Sequence, residues 1–187
     1  MRAIRVSLFA AVLLTTACND PFASQPWSDT PVEATLFSAS REAYVSRVSA
    51  FDLTSSPARV VAIESEAGAG SWDVILIDNG TSLALESAAT FTGITSRARI
   101  AVITGTAFAD VKSAPSDTSK YSAGPVNLRA DAVYIIKSRT TSCALKAGPI
   151  YAKLQPVTVD VVNGIFKFNY VSNPNCDDRA LISPADE

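Results

Sequence analysis

The chain has 187 residues, 48% of them hydrophobic, with 16 Lys and Arg against 18 Asp and Glu. Mild acidity without a basic block argues against a nucleic-acid partner, and the length suits one domain with a proper core. The chain holds no histidine, which excludes Ser-His-Asp and Cys-His catalysis, H-E-x-x-H zinc sites, facial triads and bis-His haem ligation.

At the start, Arg2 and Arg5 precede a short apolar run, Val6 to Leu14 (VSLFAAVLL). It is too short to span a bilayer comfortably as a permanent helix. With the small residues that follow, it reads as a secretory signal. Its end, Thr15-Thr16-Ala17-Cys18, resembles the lipobox of bacterial lipoproteins. Thr16 and Ala17 suit that pattern; Thr15 departs from it, since an aliphatic residue is usual there and Leu14 sits one place early. The resemblance implies that residues 1–17 are a signal peptide, cut before a lipidated Cys18. Each buried methylene of the attached chains then contributes roughly 0.8 kcal/mol to membrane anchoring. The family's sorting rule, applied to Asn19, implies the outer membrane. An ordinary cut near Ala17, which would release a secreted protein, and an uncleaved anchor are the competing readings. A cut before Cys18 removes two of the cations and Met1, the only methionine, so thioether ligation of haem or copper goes with it.

Residues 18–31 read as the lipidated cysteine and a flexible tether. Three prolines in NDPFASQPWSDTP (19–31) and no periodicity argue against a helix or a central strand. Phe22 and Trp27 are its apolar exceptions and are expected to dock on the domain.

Residues 32–187 form a single β-rich domain. Strand signals fall at 32–38, 59–65, 72–78, 82–86, 98–103, 132–138, 150–154, 157–162 and 165–171, together rich in Val, Ile, Phe and Tyr and bounded by turn residues. No window carries a long helical repeat. Residues 106–113 (TAFADVKS) suit a short helix that Pro115 would end. GAGS (68–71) precedes a strand and so reads as a turn, not a phosphate loop. DDR (177–179) looks like the polar end of a strand region, without a calcium-loop pattern. Trp72 reads as a core residue beside a solvated or turn-binding Asp73.

Two Asn-Gly pairs set hairpin registers if each makes a two-residue turn. About Asn163-Gly164, that pairs Val162 with Ile165, Val161 with Phe166, Asp160 with Lys167, Val159 with Phe168, Thr158 with Asn169 and Val157 with Tyr170. One face is then apolar on both strands, and a one-residue slip would destroy the match. About Asn79-Gly80, Leu76 meets Leu83 and Val74 meets Leu85, but Asp73 opposes Glu86. Like charges so placed are unfavourable. The pairing is therefore expected to fray there; a metal or proton shared by the two carboxylates is the other solution. Asn79-Gly80-Thr81 also matches a glycosylation acceptor, which the turn explains without sugar.

With Cys18 lipidated, Cys143 and Cys176 are an even pair in an oxidising compartment and are expected to form a disulfide. A two-thiolate metal site would lack further soft ligands.

The order FDLTSS (51–56), SWDVIL (71–76), FADVKSAPSD (108–117), VYIIKSR (133–139), YAKLQPV (151–157) and GIFKFNYV (164–171) resembles HmuY-type lipoproteins. The resemblance covers roughly residues 45–171. It implies a β-rich, surface-anchored haem-carrier fold. In that family two His or two Met hold the haem, and the mature chain has neither, so no ligand position carries over. The Cys143/Cys176 pair and NPNCDDR (173–179) lie outside the family pattern and look more like small relatives of that fold.

The expectations are an all-β, mainly antiparallel domain that binds a small hydrophobic ligand or an envelope protein, without catalysis or cofactor. A structural envelope component with no ligand is the first alternative, and a haem carrier ligating through Tyr or Lys another. An enzyme would need carboxylates, or a Lys with a Tyr, converging in a cleft.

Overall fold

The computed structural model describes residues 24–63, 70–143 and 146–184. Cys18, Phe22 and the first two residues of GAGS (68–71) lie outside the described residues. The strands are β1 (Val32–Phe37), β2 (Ala50–Asp52), β3 (Arg59–Val61), β4 (Val74–Asp78), β5 (Leu83–Ser87), β6 (Arg99–Thr104), β7 (Tyr121–Ser122), β8 (Val126–Asn127), β9 (Ala132–Cys143), β10 (Lys146–Asp160) and β11 (Ile165–Asn173). They make two antiparallel sheets, ordered β1-β11-β10-β9-β6-β7 and β3-β2-β4-β5-β8, and among the described residues the only helical elements are 3-10 turns. The all-β expectation holds.

The sheets face each other across one main core. Leu36, Tyr134, Ile136, Leu154, Phe166 and Phe168 of the larger sheet meet Phe51, Val74, Leu76, Leu83 and Leu85 of the smaller. Alternation along each strand puts these side chains on one face. Phe51 packs edge-on against Phe168 at 5.6 Å and Tyr170 at 4.9 Å, while Phe166 stacks on Phe168 at 4.8 Å. Each such pair contributes about 0.5–1.5 kcal/mol beyond area burial.

The larger sheet carries a second apolar layer on its outer face, where Ala101, Val133, Ile135 and Tyr151 pack under Val111, Ala114 and Leu181. Here the segment expected as a helix is one 3-10 turn, Phe108–Asp110. Two competing bonds explain this. The buried Lys153 Nζ donates to the carbonyls of Phe108 and Val111 at 3.0 Å each. Beyond the turn, Ser113 bridges Ala180, and Ala114 N donates to Arg179 O at 2.8 Å. The segment is thus held by the C-terminal stretch.

Both hairpin registers differ from the two-residue-turn expectation, next to the loops by the same amount. Asp160 pairs with Ile165, Val159 with Phe166, Thr158 with Lys167 and Leu154 with Tyr170. In the other hairpin Asp78 pairs with Leu83, Leu76 with Leu85, Ile75 with Glu86 and Val74 with Ser87. Each loop therefore has four residues. Asp160 does not face Lys167, and Asp73 does not face Glu86, so neither fraying nor a shared metal or proton is needed. A type I′ turn requires positive φ at both central residues, and in each Asn-Gly pair only the glycine has it. The asparagines do other work. Asn79 Oδ1 accepts from Thr81 N and Ser82 N, and Asn163 donates through N and Nδ2 to Asp160. Next to the loop a shift of two keeps the faces unchanged; beyond the bulge between Pro156 and Thr158 the shift is three, and Phe166, Phe168 and Tyr170 stay core together because alternation along β11 puts them on one face. Val162, expected to be paired, is 83% exposed at the loop tip.

The expected strands 150–154 and 157–162 belong to one long β10. Its register shifts between Pro149 and Tyr151 and between Pro156 and Thr158. Bulges are where a sheet accommodates proline.

Residues 25–29, read as tether, are fastened to the C-terminal stretch. Gln25 N donates to Asn175 Oδ1 at 2.7 Å, Asn175 Nδ2 to Gln25 O at 3.0 Å, and Ser183 Oγ to Trp27 O at 2.8 Å.

Candidate functional site between the sheet edges

The edge strands β1 and β3 do not close the sandwich. Between them lies a groove of about 490 Å³ lined by Ala34, Phe37, Val48, Phe51, Val60 and Tyr170, with Glu33 and Arg59 at its polar side. A second hollow of about 250 Å³ adjoins it, walled by Trp27, Leu53, Pro57, Val171 and Pro174. Ala58 and Tyr170 line both. Tyr170 donates its hydroxyl to Ala58 O at 2.9 Å and so ties the loop between β2 and β3 to β11. Burial pushes the Tyr170 phenol upward, so it stays a proton donor at neutral pH. Trp27 is half-buried on this hollow, as the docking expectation had it.

That loop, 53–58, forms the wall between the two hollows, and a buried charge network holds it. Asp73 is 0% exposed. Its Oδ1 accepts from Arg139 N at 2.7 Å and its Oδ2 from Leu53 N at 2.8 Å. Arg139 Nη1 lies 3.2 Å from Asp73 Oδ2, out of line for a hydrogen bond, so that contact is Coulombic. Arg139 Nη2 donates to Asp52 Oδ1 at 2.8 Å and to Thr54 Oγ1. Asp52 also accepts from Thr54 N, Thr54 Oγ1 and Ser55 Oγ. Arg59 Nε stands 3.7 Å from Asp52 Oδ2.

The two carboxylates are pushed in opposite directions. Burial dominates at Asp73 and raises its pKa against the pull of Arg139 and two backbone N–H groups. Burial also acts upward on Asp52, but Ser55, the Arg139 charge and Thr54 together bring it below the ordinary value. Every polar contact named for Asp73 is a donor to it, so the site is built for the carboxylate form. Asp73 was expected to be solvated or turn-binding; it is dry, and it binds backbone from two other segments. An acid set in an apolar run, Trp72-Asp73-Val74-Ile75-Leu76, was the legible signal. Arg139 carried none, because its partners lie 66 and 87 residues away.

These acids accept from donors of the 52–55 segment and of Arg139, and so position the 53–58 wall. Among the described residues no three His, Cys, Asp or Glu side chains converge as metal ligands.

Cys143 and Cys176 form the expected disulfide, with Cα atoms 5.7 Å apart. It clips the end of β9 to the 174–184 stretch that holds residues 25–29. The closed loop of 33 residues by sequence separation is worth about 3–4 kcal/mol on the chain-entropy model. Such a bond fits an oxidising compartment. Among the described residues no helix is long and apolar enough to cross a membrane. No family model matches the chain, and no curated protein matches it.

Proposed function

We propose that this protein is a lipid-anchored envelope domain that binds a small apolar ligand between its sheet edges, without catalysis. The observation that carries this is the aromatic groove of about 490 Å³ between β1 and β3. Its size falls within the range of small-molecule sites, and its lining of apolar and aromatic groups with a few polar ones is typical of them. The signal-like start, the lipobox-like Thr15-Thr16-Ala17-Cys18 and the resemblance to HmuY-type carriers support anchorage at the membrane, in the outer membrane by the Asn19 reading. The disulfide supports an oxidising compartment.

Haem enters this reading as an apolar guest. Of the groove-lining side chains named above, Tyr170 alone is a candidate ligand of the Tyr or Lys type, and its hydroxyl is held by Ala58 O. A haem titration of the 19–187 fragment, followed by optical absorption, tests it. A saturable Soret shift at micromolar haem that Tyr170→Phe abolishes would establish ligated carriage; a shift that Tyr170→Phe spares would indicate an apolar guest. No shift would leave haem out of the ligand class. A structural envelope component is the second reading, favoured by the open β1 and β3 edges of the two sheets.

A further inference from the structure

A cleft of about 250 Å³ opens on the outer face of the larger sheet, away from the groove. It is lined by Pro115, Ser116, Thr118, Tyr121, Lys137, Tyr151, Asp177 and Arg179. Three separate segments build it: the 115–121 loop, the facing pair Lys137 and Tyr151 on β9 and β10, and the 177–179 turn. The turn is rigidly placed. Asp177 follows the disulfide, has φ 59°, and donates its N–H to Pro149 O at 2.8 Å. Gly148 permits that approach, since an added Cβ would lie 2.9 Å from Asp177 Cβ and 3.2 Å from its nitrogen.

Apart from the Asp177 carboxylate, the charged groups in the cleft are donors. Lys137 and Arg179 form no ion pair among the described residues. Tyr121 spends its hydroxyl on Pro115 O at 3.1 Å, whereas the Tyr151 hydroxyl has no protein partner among the described residues. Burial raises both phenols, so they hold their protons at neutral pH. On the strand beyond Lys137, Arg99 pairs with it directly, and like charges so placed repel unless an anion lies between or near them. Asp177 is the single acid of the lining. Lys137 and Arg179 outnumber Asp177 in the lining, and Arg99 beside Lys137 adds a further positive charge, so the cleft favours an anion. Tyr and Pro surfaces offer contact for a compact body, and Ser116 and Thr118 offer hydroxyls.

We propose that this cleft binds a small hydroxylated carboxylate of the hexuronic-acid type, its carboxylate between Lys137, Arg179 and the Tyr151 hydroxyl. This site is independent of the groove between the sheet edges.

The test is an amide NMR titration of the ¹⁵N-labelled full chain in non-ionic detergent with sodium glucuronate, glucose and inorganic phosphate. With glucuronate, the amides of Lys137, Tyr151 and 177–179 shift together and saturate, with a dissociation constant on the order of 1 mM. Lys137→Gln and Tyr151→Phe, each with an otherwise unchanged spectrum, weaken binding about tenfold or more. Three results would overturn the proposal. They are no saturable shift of these amides with glucuronate, equal binding of glucose, and an affinity indifferent to both substitutions. Tighter binding of phosphate than of glucuronate would overturn the carboxylate assignment.

Discussion

Two arginines brace opposite ends of β4, and they do so in different media. At its far end Arg41 donates to Asp78 and to the carbonyls of Val161 and Val162, tying the tips of both four-residue hairpin loops together. Its side chain is 29% exposed. Just before its near end, Arg139, 19% exposed, joins the buried Asp73 and Asp52. The pairing chemistry is the same, but Asp78 and the fully buried Asp73 respond oppositely, while Asp52, with more donors, is lowered like Asp78. Asp78 is pulled down, first by the Gly80 N–H and then by Arg41; Asp73 is pushed up by burial. Water near a charge pair decides whether the pair is a gain or a burden that its surroundings must offset.

The largest test of this contrast is Arg139→Met. It strands two buried carboxylates, and urea unfolding should show a loss of about 3–5 kcal/mol. A loss below about 1 kcal/mol would mean that the network is wetter than its geometry implies. Arg41→Met should cost less, about 1–2 kcal/mol, because the ends it releases are partly solvated. Gly164→Ala should cost a similar amount, since φ is +66° there and the new Cβ would lie 2.5 Å from Arg41 Nε.

A finer test uses pH. Asp78 has a lowered folded-state pKa, so its contribution is fully present above the unfolded value of 3.8 and is lost as pH falls through the folded value. Asp73 has a raised one, so its contribution declines as pH rises above 3.8. Stability measured against pH should therefore tilt one way in Asp78→Asn and the opposite way in Asp73→Asn, each relative to the wild type. Tilts of the same sign would contradict the contrast. The smallest effect belongs to Asp131→Asn, whose pairing with Arg129 is in open solvent; thermal unfolding should not register it.

Much of the β architecture is legible from local composition, because strand runs such as 132–138 and 165–171 carry their own β-branched and aromatic residues. The strands that escaped it, β2, β7 and β8, have two or three residues and exist through pairing with neighbours. Hairpin faces are legible because parity survives a shift of two; loop length is not, because Asn79 and Asp160 side chains outcompete the tight turn. The groove wall was half-visible. Asp52 followed by Thr54 and Ser55 is a local side-chain-to-backbone motif. Arg139 is not visible at all, since its partners are brought to it only by folding.

The central claim is that the gap between β1 and β3 is a ligand site. The most direct measurement is a fluorescence titration of the 19–187 fragment with a neutral apolar naphthylamine dye, in wild type and in Ala34→Trp, which plugs the groove from the β1 side. The account predicts saturable one-to-one enhancement in the wild type and its loss in a folded Ala34→Trp variant. No saturable binding in the wild type, or equal binding in both, would contradict it.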